Sequence, residues 1–117
     1  MHNFQELLVW QKAMTIAEKV YLLSTSFPKD EKFGLKSQLR RSAISVPSNI
    51  AEGAGRNTNN EFKHFLGIAS GSSNEMYTQL ELCHRLKLVP KEKIALILND
   101  LIEVQKINYS LIQKFSK

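Results

Sequence analysis

The sequence predicts an all-α protein, an antiparallel up-and-down four-helix bundle forming a single domain over residues 1–117. Three observations lead there. Apolar residues recur at threes and fours in four successive stretches, and the strict alternation of a half-buried strand is absent. Only three prolines and five glycines punctuate the chain. The connections between the stretches are short, and short loops between long helices force antiparallel neighbours.

The first helix is predicted over roughly residues 4–26. Leu7, Trp10, Met14, Ala17 and Tyr21 repeat along one stripe, with Ala13, Ile16, Val20 and Leu23 beside it. Pro28 ends it, because the residue before proline is pushed out of helical conformation. The second is predicted over about residues 31–54, with Leu35, Leu39, Ala43, Val46, Ile50 and Ala54 as its core face. Gly53 and Gly55 are expected to close it, since glycine accepts the left-handed conformation of a helix end.

The third helix runs from about residue 59 to 86. Thr58 and Glu61 read as a capping box that satisfies the free N–H groups of the first turn. Phe62, Phe65, Ala69, Met76, Leu80 and Cys83 form its expected inner face. The fourth starts near Pro90, a residue suited to the first turn of a helix. Ile94, Ile97, Leu101, Val104, Leu111 and Phe115 follow a seam, with Asn108 at its one polar position.

Composition narrows the class. With 43% of residues hydrophobic, a chain of this length can build a core without disulfides or metals. The single cysteine, Cys83, cannot form an internal disulfide, which suits a reducing, cytoplasmic setting. The N-terminus has no cationic start followed by a long apolar run, so no signal peptide is expected. The longest apolar stretch, Ile94 to Leu98, is far short of the ~20 residues a membrane helix needs, and no membrane association is expected. The net charge is +5 and unevenly spread. Lys32, Lys36, Arg40, Arg41 and Arg56 outweigh Glu31 and Glu52 around the second helix, and Lys87, Lys91 and Lys93 open the fourth. Such an excess raises the prospect of polyanion binding.

The second helix misbehaves in three ways. Pro47 lies inside it, which removes a backbone bond and predicts a kink. Its apolar arc is wider than the ~100° stripe a surface helix needs, leaving Ile44 and Ala51 outside the core face. The opposite stripe is Arg41, Ser45, Ser48 and Glu52, small residues between two charges, suited either to solvent or to close approach by another helix. The third helix carries the small-residue run Gly67-Ile68-Ala69-Ser70-Gly71-Ser72-Ser73, followed by Glu75. A mid-helix glycine costs about 1 kcal/mol relative to alanine, so close packing is expected to offset it, with Glu75 placed to meet an arginine of the second helix.

No catalytic arrangement stands out. Two Glu-x-x-His motifs, Glu61 to His64 and Glu81 to His84, resemble halves of a dinuclear metal site, but they share one helix about 30 Å apart. Cys83 falls on a helical core face and reads as a small buried hydrophobe. Gly53-Ala54-Gly55-Arg56 lacks the spacing of a phosphate loop. No helix-turn-helix and no aromatic stacking platform is evident. No enzyme activity, metal or cofactor is therefore predicted.

The string Gln38-Leu39-Arg40-Arg41-Ser42-Ala43-Ile44-Ser45-Val46-Pro47-Ser48-Asn49-Ile50-Ala51-Glu52-Gly53, followed by Gly55-Arg56, resembles the hallmark of the 23S ribosomal RNA intervening-sequence proteins. Leu8-Val9-Trp10-Gln11-Lys12-Ala13, Glu61-Phe62, Phe65-Leu66-Gly67-Ile68-Ala69, and Gly71-Ser72 with Glu75 extend the resemblance over nearly the whole chain. The resemblance implies a four-helix bundle assembling into a ring-like homopentamer. It also implies kinship with accessory proteins of diversity-generating retroelements, which bind a reverse transcriptase and nucleic acid. The motif residues on this chain are Arg40, Arg41, Asn49, Glu52, Gly53, Arg56 and Glu75.

Two function classes stay open: a non-enzymatic, oligomeric adaptor for RNA or DNA with weak sequence preference, and a scaffold that binds only proteins, a reverse transcriptase or another partner. Lys36, Arg40, Arg56 and Lys63 are the expected nucleic-acid contacts. Arg41, Ser45, Ser48, Glu52, Gly67, Gly71 and Glu75 are the expected residues of an oligomer interface or of structural ion pairs.

Overall fold

The computed structural model describes residues 1–29 and 34–116. A short 3-10 turn, Phe4–Glu6, precedes α1 (Leu8–Ser24), α2 (Leu35–Ala54), α3 (Asn59–Arg85) and α4 (Lys91–Lys114), and no strand occurs among the described residues. Each helix packs on the next, and α4 closes back on α1. The result is a four-cornered up-and-down bundle extending 45 × 22 × 20 Å.

The first helix starts later than its apolar spacing suggests. Leu7 is extended and separates the 3-10 turn from α1. The buried face of α1 is Val9, Ala13, Ile16, Val20 and Ser24. The stripe expected to lead, Leu7, Trp10, Met14, Ala17 and Tyr21, is its flank: Met14 and Tyr21 are exposed and the others half-buried. Two adjacent apolar stripes look alike in periodicity, and only the position of the neighbouring helices chooses between them.

The core face of α2 matches its spacing: Leu35, Leu39, Ala43, Val46, Ile50 and Ala54 are all buried. Residues 31–33 of the expected helix lie outside the described residues, and Gly34 stands at the N-cap in the left-handed conformation, φ 63°. The helix runs unbroken through Pro47, which is buried. Its end corrects the sequence reading. Gly55 has φ −83°, not a left-handed value, and Gly53 is helical and needed for space. A Cβ there would lie 2.7 Å from Phe65 Cβ and 2.9 Å from Phe62 Cδ1. Glycine lets α2 and α3 approach at their joined ends.

The long α3 is continuous through its small-residue run. Thr58 caps it, accepting from the Glu61 amide at 3.1 Å. The reciprocal half of the capping box is replaced: the Glu61 carboxylate receives the Thr58 hydroxyl. Leu66, Ser72 and Ser73 join the buried face, and Phe65 is only half-buried. The C-terminus ends in a Schellman motif, with Leu88 N–H on the Cys83 carbonyl and Lys87 N–H on that of His84, both at 2.9 Å. Lys87 takes the left-handed position, φ 62°, that glycine usually fills.

Polar side chains staple α4 to α3. Asn108 is buried and donates to the Leu66 carbonyl at 2.7 Å and to Ser70 Oγ at 2.6 Å. Gln105 donates to the Ser70 carbonyl and to Asn74 Oδ1. The chain's beginning joins the same end of the bundle: His2 N–H meets the Ala54 carbonyl, and the His2 ring packs against Phe62 and Phe115.

Candidate functional site: a basic end and its grooves

The helix order decides where charge collects. In an up-and-down bundle the starts of α2 and α4 lie at one end, beside the ends of α1 and α3. That end gathers Lys29, Lys36, Arg40 and Arg41 with Arg85, Lys87, Lys91 and Lys93. Two basic segments separated by some 50 residues of sequence thus become one region. The sequence offered both segments; the topology joins them.

On the α1–α2 side of this end lies a cleft of about 700 Å³, lined by Lys29, Lys36, Arg40, Arg41, Tyr21 and Ile44 among others. No carboxylate lines it among the described residues. Arg40 is anchored: Nε donates to Ser24 Oγ at 2.8 Å and a terminal nitrogen to the Tyr21 carbonyl at 3.0 Å. Its guanidinium lies 4.4 Å from the centroid of the Tyr21 ring. Lys36, half-buried, and Arg41, exposed, make no hydrogen bond or ion pair among the described residues.

Arg56 and Lys63 do not belong to this cluster. Arg56 follows Arg40 by about 24 Å of helix rise, at the opposite end. It pairs with Glu52 at 3.2 Å, approaches Glu61 at 3.8 Å, and lies over the Phe65 ring. That side chain ties the end of α2 to the start of α3. The four expected contacts therefore fall into two regions, with Lys36 and Arg40 at one and Arg56 and Lys63 at the other.

The residues expected at an oligomer interface are also divided. Ser45 Oγ lies 2.7 Å from Ser72 Oγ, so it packs α2 on α3 within the chain. Arg41 and Glu75 line one polar groove of about 430 Å³ between α2 and α3, with Ser45 and Ser72 at its floor, but no ion pair joins them. Glu52 is taken by Arg56. Gly67 and Gly71 are exposed, and a Cβ at either would meet nothing within 4 Å. Their smallness answers no need among the described residues. Ser48 lies elsewhere, in an apolar groove of about 450 Å³ between α1 and α2, lined also by Trp10, Met14, Ala17, Ile44 and Ala51.

That groove is what the sequence reading missed. The surplus apolar arc of α2, Ile44 and Ala51, was visible. Its counterpart on α1 was not, because periodicity alone does not tell the flanking stripe of Trp10, Met14 and Tyr21 from the buried one beside it. A second apolar groove, about 670 Å³, lies between α3 and α4 and carries Tyr77, Ile102 and Tyr109. Among the described residues no group of three or more His, Cys, Asp or Glu side chains could hold a metal. No helix among them is long and apolar enough to cross a membrane.

The fold and its surface define the class: an antiparallel four-helix bundle with one basic end and apolar grooves between its outer helices. The chain belongs to the 23S rRNA-intervening sequence protein family, whose model matches residues 5–110. It is similar to the crystal structure of a protein with unknown function from the S23 ribosomal protein family of Bacteroides thetaiotaomicron. The TM-score is 0.84 at 29% identity, over 91% of this chain and 99% of that one. No match is found among curated proteins.

Proposed function

We propose that the protein is a non-enzymatic, oligomeric adaptor that binds nucleic acid through its basic end, along the phosphate backbone and with weak sequence preference. One observation carries this: the bundle order brings Lys29, Lys36, Arg40 and Arg41 around one cleft and sets the basic start of α4 at the same end. Clustered cations bind phosphates by releasing counterions and read little sequence.

Self-association, as a ring of five copies, belongs to the same proposal. Its support is the open small-residue strip of Gly67 and Gly71 beside exposed Ile68, and the apolar α3–α4 groove next to it. A ring repeats one basic end around an axis, and such multivalency raises avidity by about 10²–10⁴. The α3–α4 groove, with Tyr109 63% exposed, also favours a second reading, a scaffold that binds proteins alone, a reverse transcriptase among them.

The test is Lys36→Gln with Arg41→Gln, two side chains without a hydrogen bond or ion pair to another described residue. Binding to labelled mixed-sequence RNA and DNA is measured across a salt series, with oligomer size by light scattering. The expected result is an intact oligomer, weaker binding, and a log–log salt slope shallower by about 1.4 on single strands. Unchanged binding removes this cleft from the site. No binding by the wild type at low salt leaves the scaffold reading in front.

A further inference from the structure

We infer that the α1–α2 groove receives unstacked bases, so that the protein prefers single-stranded over duplex nucleic acid; this rests on the nucleic-acid reading above. The apolar groove and the basic cleft are adjacent and share two walls, Tyr21 and Ile44. Trp10, Met14 and Tyr21 line it from α1, Ile44 and Ser48 from α2. Ile44 is 47% exposed, Met14 38% and Tyr21 37%, so these apolar groups face water without a partner. Only one charged residue, Glu18, lines it among the described residues. The volume of about 450 Å³ falls within the ~300–1,000 Å³ of small-molecule pockets.

At the junction, the Arg40 guanidinium stacks 4.4 Å from the Tyr21 ring centroid. Bases splayed from a single strand stack on aromatic rings and on arginine planes, while neighbouring cations hold the phosphates. A strand laid along this face would meet cations at the cleft and apolar walls in the groove. A duplex keeps its bases stacked inside and offers this face only phosphate and sugar. A protein helix would also fit apolar walls, but a groove opening into four cations and a stacked Arg–Tyr pair favours the polyanion.

Trp10 is the only tryptophan in the chain, so its fluorescence reports occupancy of the groove. The wild type is titrated with mixed-sequence single-stranded RNA and DNA of about 12 nucleotides, within the usual site sizes of single-strand binders, and with the same sequence as a duplex. Anisotropy of the labelled strand and Trp10 emission are followed together. The expected result is a single strand bound roughly tenfold or more tightly than the duplex, in line with the loss of one stacked base, with Trp10 quenched only by the single strand. Ser48→Phe, which places a bulky ring in the groove lining, should remove both the quench and the advantage while leaving salt-sensitive binding.

Equal affinities with unchanged Trp10 emission would overturn the inference and leave the phosphate-binding function standing. Absence of binding to either form at low salt would remove that function and this inference with it. A Trp10 response to a synthetic Leu/Glu amphipathic helical peptide, with none to the oligonucleotides, would assign the groove to a protein helix instead. The wild-type measurements need no variant, so a misfolded Ser48→Phe does not rescue the idea.

Discussion

The hydroxyls of Ser45 on α2 and Ser72 on α3 lie 2.7 Å apart, and Asn49 Nδ2 donates to the same Ser45 oxygen at 2.9 Å. With Ser42 Oγ on Gln79 Oε1 at 2.6 Å, they form a polar ladder along the α2–α3 contact. Small side chains let the helices approach, and each hydroxyl finds a partner at the part-buried floor of the α2–α3 groove. The serine stripe of α2 is thus partly consumed inside the chain.

Breaking this ladder from both sides should cost less than the two single losses added together. Ser45→Ala takes the side-chain partner from Ser72, while Asn49 keeps its bond to the Ser45 carbonyl, and an orphaned buried polar group costs about 1–3 kcal/mol. Ser72→Ala should cost a similar amount. The double variant should lose less than the sum, with a coupling of about 0.5–1.5 kcal/mol, read by chemical denaturation of all four proteins. Strict additivity would mean that the two hydroxyls do not depend on one another.

The glycines should respond with opposite signs. Gly53→Ala drives a methyl into Phe65 and the Phe62 ring edge. Overpacking typically costs about 1–3 kcal/mol, which outweighs the ~1 kcal/mol that alanine gains in helix propensity. Gly67→Ala meets open space and should keep that gain. Thermal unfolding should therefore place Gly53→Ala below the wild type and Gly67→Ala above it.

This contrast marks how far the sequence could be read. The four helices and the core of α2 followed from apolar spacing, because a buried stripe with period 3.6 has few other solutions. Gly53 was noticed, but as a helix terminator: its true constraint, the Phe62 and Phe65 side chains of α3, lies across a turn and has no local signature. The two apolar stripes of α1 could not be ranked for a similar reason, since Val9 and Trp10 are both apolar and only the docking of α2 and α4 separates them. Arg40 and Arg56 looked equivalent as basic residues. Their separation to opposite ends follows from helix length, while the contacts with Tyr21 and with Phe65 depend on packing that a single strand of letters does not encode.

Lys87 offers a stabilising change. Its φ of 62° places a side chain where the left-handed conformation costs roughly 1–2 kcal/mol, and the Schellman bonds of α3 hold it there. Lys87→Gly should relieve that strain, offset in part by the greater freedom of glycine in the unfolded chain. A net gain of about 0.5–1 kcal/mol should appear as a raised Tm. A lower Tm would show that the lysine side chain makes compensating contacts at this turn.

Arg40 and Arg41 are adjacent in sequence and should separate stability from binding. Arg40 reaches α1, donating to Ser24 Oγ and to the Tyr21 carbonyl and covering the Tyr21 ring. The carbonyl belongs to the last turn of α1, where backbone acceptors lack helical donors. The side chain is half-buried, so solvent screening tempers the contribution of its charge. Arg40→Gln should lose about 1–2 kcal/mol, from hydrogen bonds worth ~1 kcal/mol each and a partly exposed cation–π contact. Arg40→Lys should recover little of it, because an ammonium cannot copy the planar fork that reaches both acceptors while stacking on the ring. Arg41 has no such partners among the described residues, and Arg41→Gln should change stability by less than about 0.5 kcal/mol. In the nucleic-acid reading both variants weaken binding, but only Arg40→Gln lowers the unfolding midpoint. Denaturation and anisotropy measured on the same preparations separate the two effects. A stable Arg40→Lys protein would mean that positive charge alone, rather than the fork, holds the end of α1 to α2.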